Sequence, residues 1–175
     1  MISLPPVPSW DGVHPLIVHF PIALLLVAPL FVLLGVVLRR GRPFLWAALL
    51  LMTIGTMATF VAVSTGEEAG KLAERTPQIN AVLEHHEELA EATRAVFTAL
   101  TVIFAAIVMA PAAVHRLQGR TFRIVLPLAF LACYGAGLVF LVNTAHNGGR
   151  LVHELGVQAL MSPGEQLAER GANGD

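Results

Sequence analysis

The seven histidines are the side chains of this sequence best equipped for chemistry, set against an otherwise apolar background. His14 and His19 stand in "DGVHPLIVHFPIALLLVAPL", at the mouth of a strongly apolar run. His85 and His86 lie in "EHHEELAE", His146 and His153 in "TAHNGGRLVHELG", and His115 stands alone. A neutral imidazole offers a nitrogen lone pair to a metal ion or to haem iron; a protonated one does not. The bland alternative is that each ring caps a helix or hydrogen-bonds to a neighbour. Which reading holds depends on the elements that carry the rings and on whether they bring them together.

The chain has 175 residues, of which 55% are apolar and 13% charged. Soluble domains carry about 25% charge, so this is a membrane composition. The net charge of -1 gives no sign of nucleic-acid binding. The single cysteine, Cys133, rules out an internal disulfide and a cysteine-based metal knuckle; within its apolar run it reads as a small buried hydrophobe. Four apolar runs, 16–38, 44–63, 95–114 and 122–142, are each close to the roughly 20 residues that cross a bilayer. The expected fold is all-α: a four-helix transmembrane bundle forming a single domain over 1–160, followed by a mobile C-terminal tail, 161–175. Pro29, Pro111 and Pro127 interrupt the runs without ending them, which lipid-embedded helices tolerate.

Arginines orient the bundle. Arg39, Arg40 and Arg42 fill the first link, and Arg116, Arg120 and Arg123 the third; neither link holds a carboxylate. The second link is rich in glutamate. The positive-inside rule places the arginine links in the cytoplasm and both termini outside, in the periplasm if the membrane is a bacterial inner membrane. Six of the histidines then gather on the outer side, with His115 alone inside.

Each outer histidine has a definite helical context. A residue before proline avoids the helical region and proline suits the first helical position, so His14 is expected to cap helix one and Pro15 to open it. Pro21 cannot donate to the Ile17 carbonyl, so the helix should bend beside His19. The positive end of the helix dipole favours neutral imidazole at His19. In "STGEEAGKLAERTPQ", Ser64 or Thr65 with Glu67 or Glu68 has the spacing of a capping box, which predicts a short amphipathic helix between spans two and three. Thr76 and Pro77 open the next helix in the same cap-then-proline manner. That third long helix starts above the membrane, with Ile79, Val82, Leu83, His86, Ala90, Thr93 and Phe97 at helical spacing. His86 therefore faces the bundle and His85 the solvent, and Glu87 could orient His86 or add a carboxylate ligand. His146 falls about one turn beyond the last run. His153 shares its face if the helix survives Gly148 and Gly149, a pair that marks either a break or a close approach of a flat cofactor or another backbone. Gly55 with Thr59 and Ala132 with Ala136 have the small-xxx-small spacing of close helix packing.

The stretches "HPLIVHFPIALL", "STGEEAG", "EHHEELAE" and "GGRLVHELGV" together resemble a bacterial family of four-helix integral membrane proteins, the domain of unknown function DUF2231. The resemblance spans roughly residues 13–160 and implies a four-helix membrane protein. It supplies no established activity. His14 and His19 match its opening motif and His86 its middle one. The family pattern places an aromatic residue at position 153 and a histidine at 155, where this chain has His153 and Leu155.

Three functions follow as expectations. Foremost is a b-type haem held between helices by imidazoles drawn from His14, His19, His86, His146 and His153, passing electrons to or from a quinone or a periplasmic carrier. The second is a transition-metal site (Zn, Cu or Fe) built from His19, His86, His146 and Glu87. The third is a non-catalytic accessory or assembly subunit of a larger membrane complex or homo-oligomer, its histidines serving as caps and hydrogen-bond partners. No nucleophile with a base is visible, so the chain reads as not an enzyme by itself.

Overall fold

Helices that are apolar nearly all round satisfy their backbone groups internally and leave side chains to face lipid. The computed structural model describes residues 10, 12–73, 75–113 and 119–157, and among these residues it is all-helical, without strands. The helices are α1 (His14–Ile17), α2 (His19–Val37), α3 (Arg42–Leu72), α4 (Pro77–Ala113) and α5 (Arg120–His153). Four segments are long and apolar enough to cross a membrane, with α1 and α2 counted as one. Around the bundle α2 packs on α3, α3 on α4, α4 on α5 and α5 back on α2, while α1 lies against α3. His115 and the tail 161–175 lie outside the described residues.

Packing separates a narrow core from a broad apolar exterior. Leu25, Ala28, Val32, Ala48, Met52, Phe97, Leu100, Phe104 and Val108 fill the centre with Phe130, Tyr134 and Leu141. Leu16, Leu30, Leu50, Met57, Val102, Val125 and Val139 point outward. An exterior this apolar suits hydrocarbon, not water. Aromatic rings close the middle of the bundle. Phe104 stacks on Phe130 at 4.7 Å, and Phe97 meets Tyr134 edge-on at 5.4 Å.

The prolines act as the sequence suggests, with one addition. Helix one breaks at Val18, between α1 and α2, just before the Pro21 position that lacks a donor for Ile17. Pro29 and Pro127 sit inside continuous helices. Pro29 leaves the Leu25 carbonyl without its helical donor. The Tyr134 hydroxyl donates to that carbonyl at 2.8 Å.

Four local expectations need correction. The amphipathic segment between spans two and three is not a separate helix: α3 runs unbroken from Arg42 to Leu72. Thr65 therefore caps nothing. It is buried mid-helix and its hydroxyl donates back to the carbonyls of Val61 and Ala62, both at 3.0 Å. A hydroxyl bonded this way supports a continuing helix and is unavailable as a cap. His14 is not the N-cap of helix one either, a place Val13 takes. Cys133 is exposed on the bundle's exterior, because α5 turns that face outward. Ala132 and Ala136 are exposed as well. In their place Gly137 of α5 admits a neighbour, with Leu100 2.7 Å from where a Cβ would stand. Gly55 performs the expected role on α3, where a Cβ would stand 2.9 Å from Leu25. Thr76 caps α4 as its sequence predicts, its hydroxyl accepting from the Ile79 N–H at 3.3 Å.

Candidate functional site

Polar side chains inside an apolar bundle must find partners, and here they do so mostly in the half that carries the histidines. Thr65, Thr93 and Asn147 are buried there, beneath half-buried His14 and His86. Toward the middle Thr56, Thr59 and Thr101 continue the polar seam, with Thr56 and Thr101 hydroxyls 2.8 Å apart.

His14 reaches across from α1 to α3, its Nδ1 3.1 Å from the Thr65 hydroxyl oxygen. The Thr65 hydroxyl also lies 3.0 Å from the Val61 and Ala62 carbonyls, so it can accept from the ring while donating to its own helix. His86 reaches from α4 to α5, and its Nδ1–H donates to the Thr144 carbonyl at 3.0 Å. The carbonyl partner fixes the tautomer of neutral His86: Nδ1 carries the proton and Nε2 keeps its lone pair. Among the described residues neither Nε2 has a hydrogen-bond partner, and neither is a sealed, unsatisfied atom. Both nitrogens therefore face accessible space.

Glycines make room for the rings. A Cβ on Gly66 would stand 2.9 Å from His14 Cε1, and one on Gly148 would stand 3.1 Å from His86 Cε1. Along α3, Gly66 receives His14, and Gly70, one turn further, receives Leu83 and Glu87 of α4. The contacts at Gly66 and Gly70 put His14 and the His86 turn of α4 at a similar level along α3. Both lie outside the apolar runs. Burial lowers the imidazole pKa of each, and for His14 the nearby His86 lowers it further, against a raising contribution from the Ala62 carbonyl.

Second-tier contacts stiffen this arrangement. Thr93 donates to the Thr144 hydroxyl oxygen at 2.8 Å, while the Thr144 proton is directed to the Leu89 and Phe140 carbonyls. α4 and α5 are in this way cross-linked just below His86. Helix α5 runs through Gly148 and Gly149 without a break and stops where Gly156 adopts a left-handed φ of 66°.

A family model described as a predicted membrane protein, DUF2231, matches residues 11–160. The chain belongs to that family. No curated protein and no solved structure matches it. The match to this family takes in all five helices and all seven histidines.

The other expected site residues stand apart from the buried pair. His19 is exposed, and its Nδ1–H donates within its own helix to the Pro15 carbonyl at 2.7 Å. His146 and His153 are exposed on α5. His85 is on the surface, 3.9 Å from Glu88. Glu87 is half-buried against Gly70, at an open groove it lines with Glu84, Glu88 and Glu91. It does not orient His86, a task the Thr144 carbonyl performs. Among the described residues no three histidine, cysteine or carboxylate side chains lie close enough to hold a metal ion together. His14 and His86 are instead each held at half-buried positions by partners that sequence alone does not single out, Thr65 and Gly66 for His14, Thr144 and Gly148 for His86. Threonine and glycine at helical spacing read equally as packing, so only the close contact of the rings reveals their role.

Proposed function

We propose that this integral membrane protein binds a transition-metal ion at its histidine end through Nε2 of His14 and Nε2 of His86. The observation that carries the reading is that Nδ1 of each ring is anchored to the bundle, leaving Nε2 as the outward nitrogen. Metal-ligating histidines nearly always commit the other ring N–H to a carbonyl or similar acceptor, which fixes the ring and raises its basicity. Both rings have that commitment, one to a threonine hydroxyl and one to a backbone carbonyl. Burial lowers the imidazole pKa of both rings, which favours the neutral form that a metal needs.

A haem held by the same two rings has less support. A porphyrin between them needs a slot as wide as the macrocycle, whereas each ring is bedded directly on a glycine of the facing helix. Transition-metal binding therefore displaces haem-linked electron transfer as the preferred reading.

The test is the metal content and visible spectrum of detergent-purified protein produced with both metals and haem supplied. About one transition-metal ion per chain is expected, lost in His14→Asn and His86→Asn and kept in His19→Asn. Asparagine retains an N–H near the Nδ1 position but has no counterpart of Nε2. A Soret band tracking those residues would favour haem instead, and wild-type protein without metal would refute the reading.

A further inference from the structure

The edge of the apolar zone at the histidine end can be read from the exposed side chains of two neighbouring helices. Along α3 they change from Met57, Phe60 and Val61 to Ser64, Glu67 and Glu68. Along α4, which runs back beside it, they change from Val102 and Ile103 to Glu91, Glu88 and Glu84. Arg94 stands at that edge. It is half-buried, and its guanidinium carbon lies 5.4 Å from the centroid of the Phe60 ring. A charged side chain at the rim of hydrocarbon is costly unless something pairs with it. Among the described residues no carboxylate ion-pairs with Arg94, although Glu91 is one turn away on the same helix. A guanidinium held over a ring keeps its N–H donors for an oxyanion, and phosphate is the oxyanion its fork fits.

Carboxylates follow on the side away from the apolar zone. Glu91 is three residues from Arg94, about 4.5 Å along the helix axis. It lines an open groove with Glu84, Glu87 and Glu88. A cation at the hydrocarbon edge with carboxylates beyond it is the complement of a zwitterionic lipid headgroup, whose phosphate adjoins the acyl chains and whose ammonium lies further out. We infer that Arg94, Phe60 and Glu91 form a headgroup site for phosphatidylethanolamine. The phosphate sits on the Arg94 guanidinium, the ammonium donates to the Glu91 carboxylate at the mouth of the groove, and the first acyl carbons lie on Phe60. The carboxylates make the choice of headgroup. Phosphatidylglycerol brings them no cation, and the quaternary ammonium of phosphatidylcholine has no N–H to donate. This site is separate from the proposed metal site and does not depend on it.

The experiment is native mass spectrometry of delipidated full-length protein in detergent, titrated in turn with dioleoyl phosphatidylethanolamine, phosphatidylcholine and phosphatidylglycerol. One phosphatidylethanolamine per chain is expected to bind about tenfold more tightly than either of the others, the low end for a hydrogen bond to a charged group. Arg94→Gln should abolish that binding, and Arg94→Lys, which keeps the charge, should retain part of it. Glu91→Gln, a change at an exposed position that spares the fold, should bring phosphatidylethanolamine down to the affinity of phosphatidylcholine. Arg123→Gln, exposed at the opposite end of the bundle, should change nothing. Equal retention of all three lipids by the wild type, or a preference unmoved by either Arg94→Gln or Glu91→Gln, would overturn the inference. Tighter binding of phosphatidylglycerol than of phosphatidylethanolamine would overturn it as well.

Discussion

Tyr134 and Pro29 offer the sharpest test of how this bundle is held together. Pro29 removes the N–H that would serve the Leu25 carbonyl, and the Tyr134 hydroxyl takes its place at 2.8 Å, buried to 1% exposure. Tyr134→Phe keeps the ring against Phe97 and Phe130 but leaves a carbonyl with no donor in an apolar core. An unsatisfied buried polar group costs about 1–3 kcal/mol, and measured hydrogen bonds between membrane helices average about 0.6 and reach about 1.7 kcal/mol. The expected loss is therefore about 1–2 kcal/mol. Pro29→Ala restores the helical N–H, so on that background the same Tyr134→Phe change should cost only a few tenths, leaving a coupling of about 1 kcal/mol. A double-mutant cycle of unfolding free energies, from reversible denaturation in mixed micelles, measures it. Equal costs of Tyr134→Phe on both backgrounds would refute the argument that the tyrosine substitutes for the proline's missing donor.

Other outcomes follow from the same geometry. Gly41→Ala should destabilise by about 1–3 kcal/mol in the same assay, because its Cβ would run into the Gly35 carbonyl, which is backbone and cannot swing aside. Thr65→Val removes the hydroxyl that anchors His14 Nδ1 and should weaken the proposed metal binding about 10- to 100-fold in a metal titration of purified protein, with the stoichiometry unchanged. Acid should destabilise the fold through the histidines. Unfolded imidazoles protonate near about pH 6.5, whereas the buried ones resist protonation until lower pH. Their contribution is thus complete above about pH 6.5 and lost as pH falls through the lowered folded-state values. Thermal melts between about pH 7.5 and 5 should show a shallower acid slope in His86→Asn than in wild type. For orientation, Glu88→Cys should react with an impermeant maleimide added to intact cells and Arg40→Cys should not; the reverse would invert the topology drawn from the arginine links.

The fold was largely legible in the sequence because membrane helices declare themselves by composition and length. The inward stripe on α4 was equally readable, with Leu83, Thr93 and Phe97 buried and His85 outside as periodicity predicts. What sequence could not supply was rotation and continuity. A capping-box spacing at Thr65 looks the same whether the chain leaves a helix or passes straight through it, and here it passes through. In apolar runs both faces are apolar, so periodicity could not tell that Cys133, Ala132 and Ala136 face outward while Gly137 faces in. The histidine pair was half visible. His86 followed from its stripe. His14 was read as a cap because the residue before a proline ordinarily is one, and its reach to α3 depends on Gly66, a residue 52 positions away.

The aromatic packing of Phe97, Phe104, Phe130 and Tyr134 gives the histidine tier a floor. If the proposed ion binds above it, exchange would be confined to that side and the ion would cross little of the transmembrane field. Moving a full charge across the whole field is worth about 2.3 kcal/mol per 100 mV. Occupancy of a berth so near the rim should thus follow the composition of the compartment it opens to and stay nearly indifferent to membrane voltage.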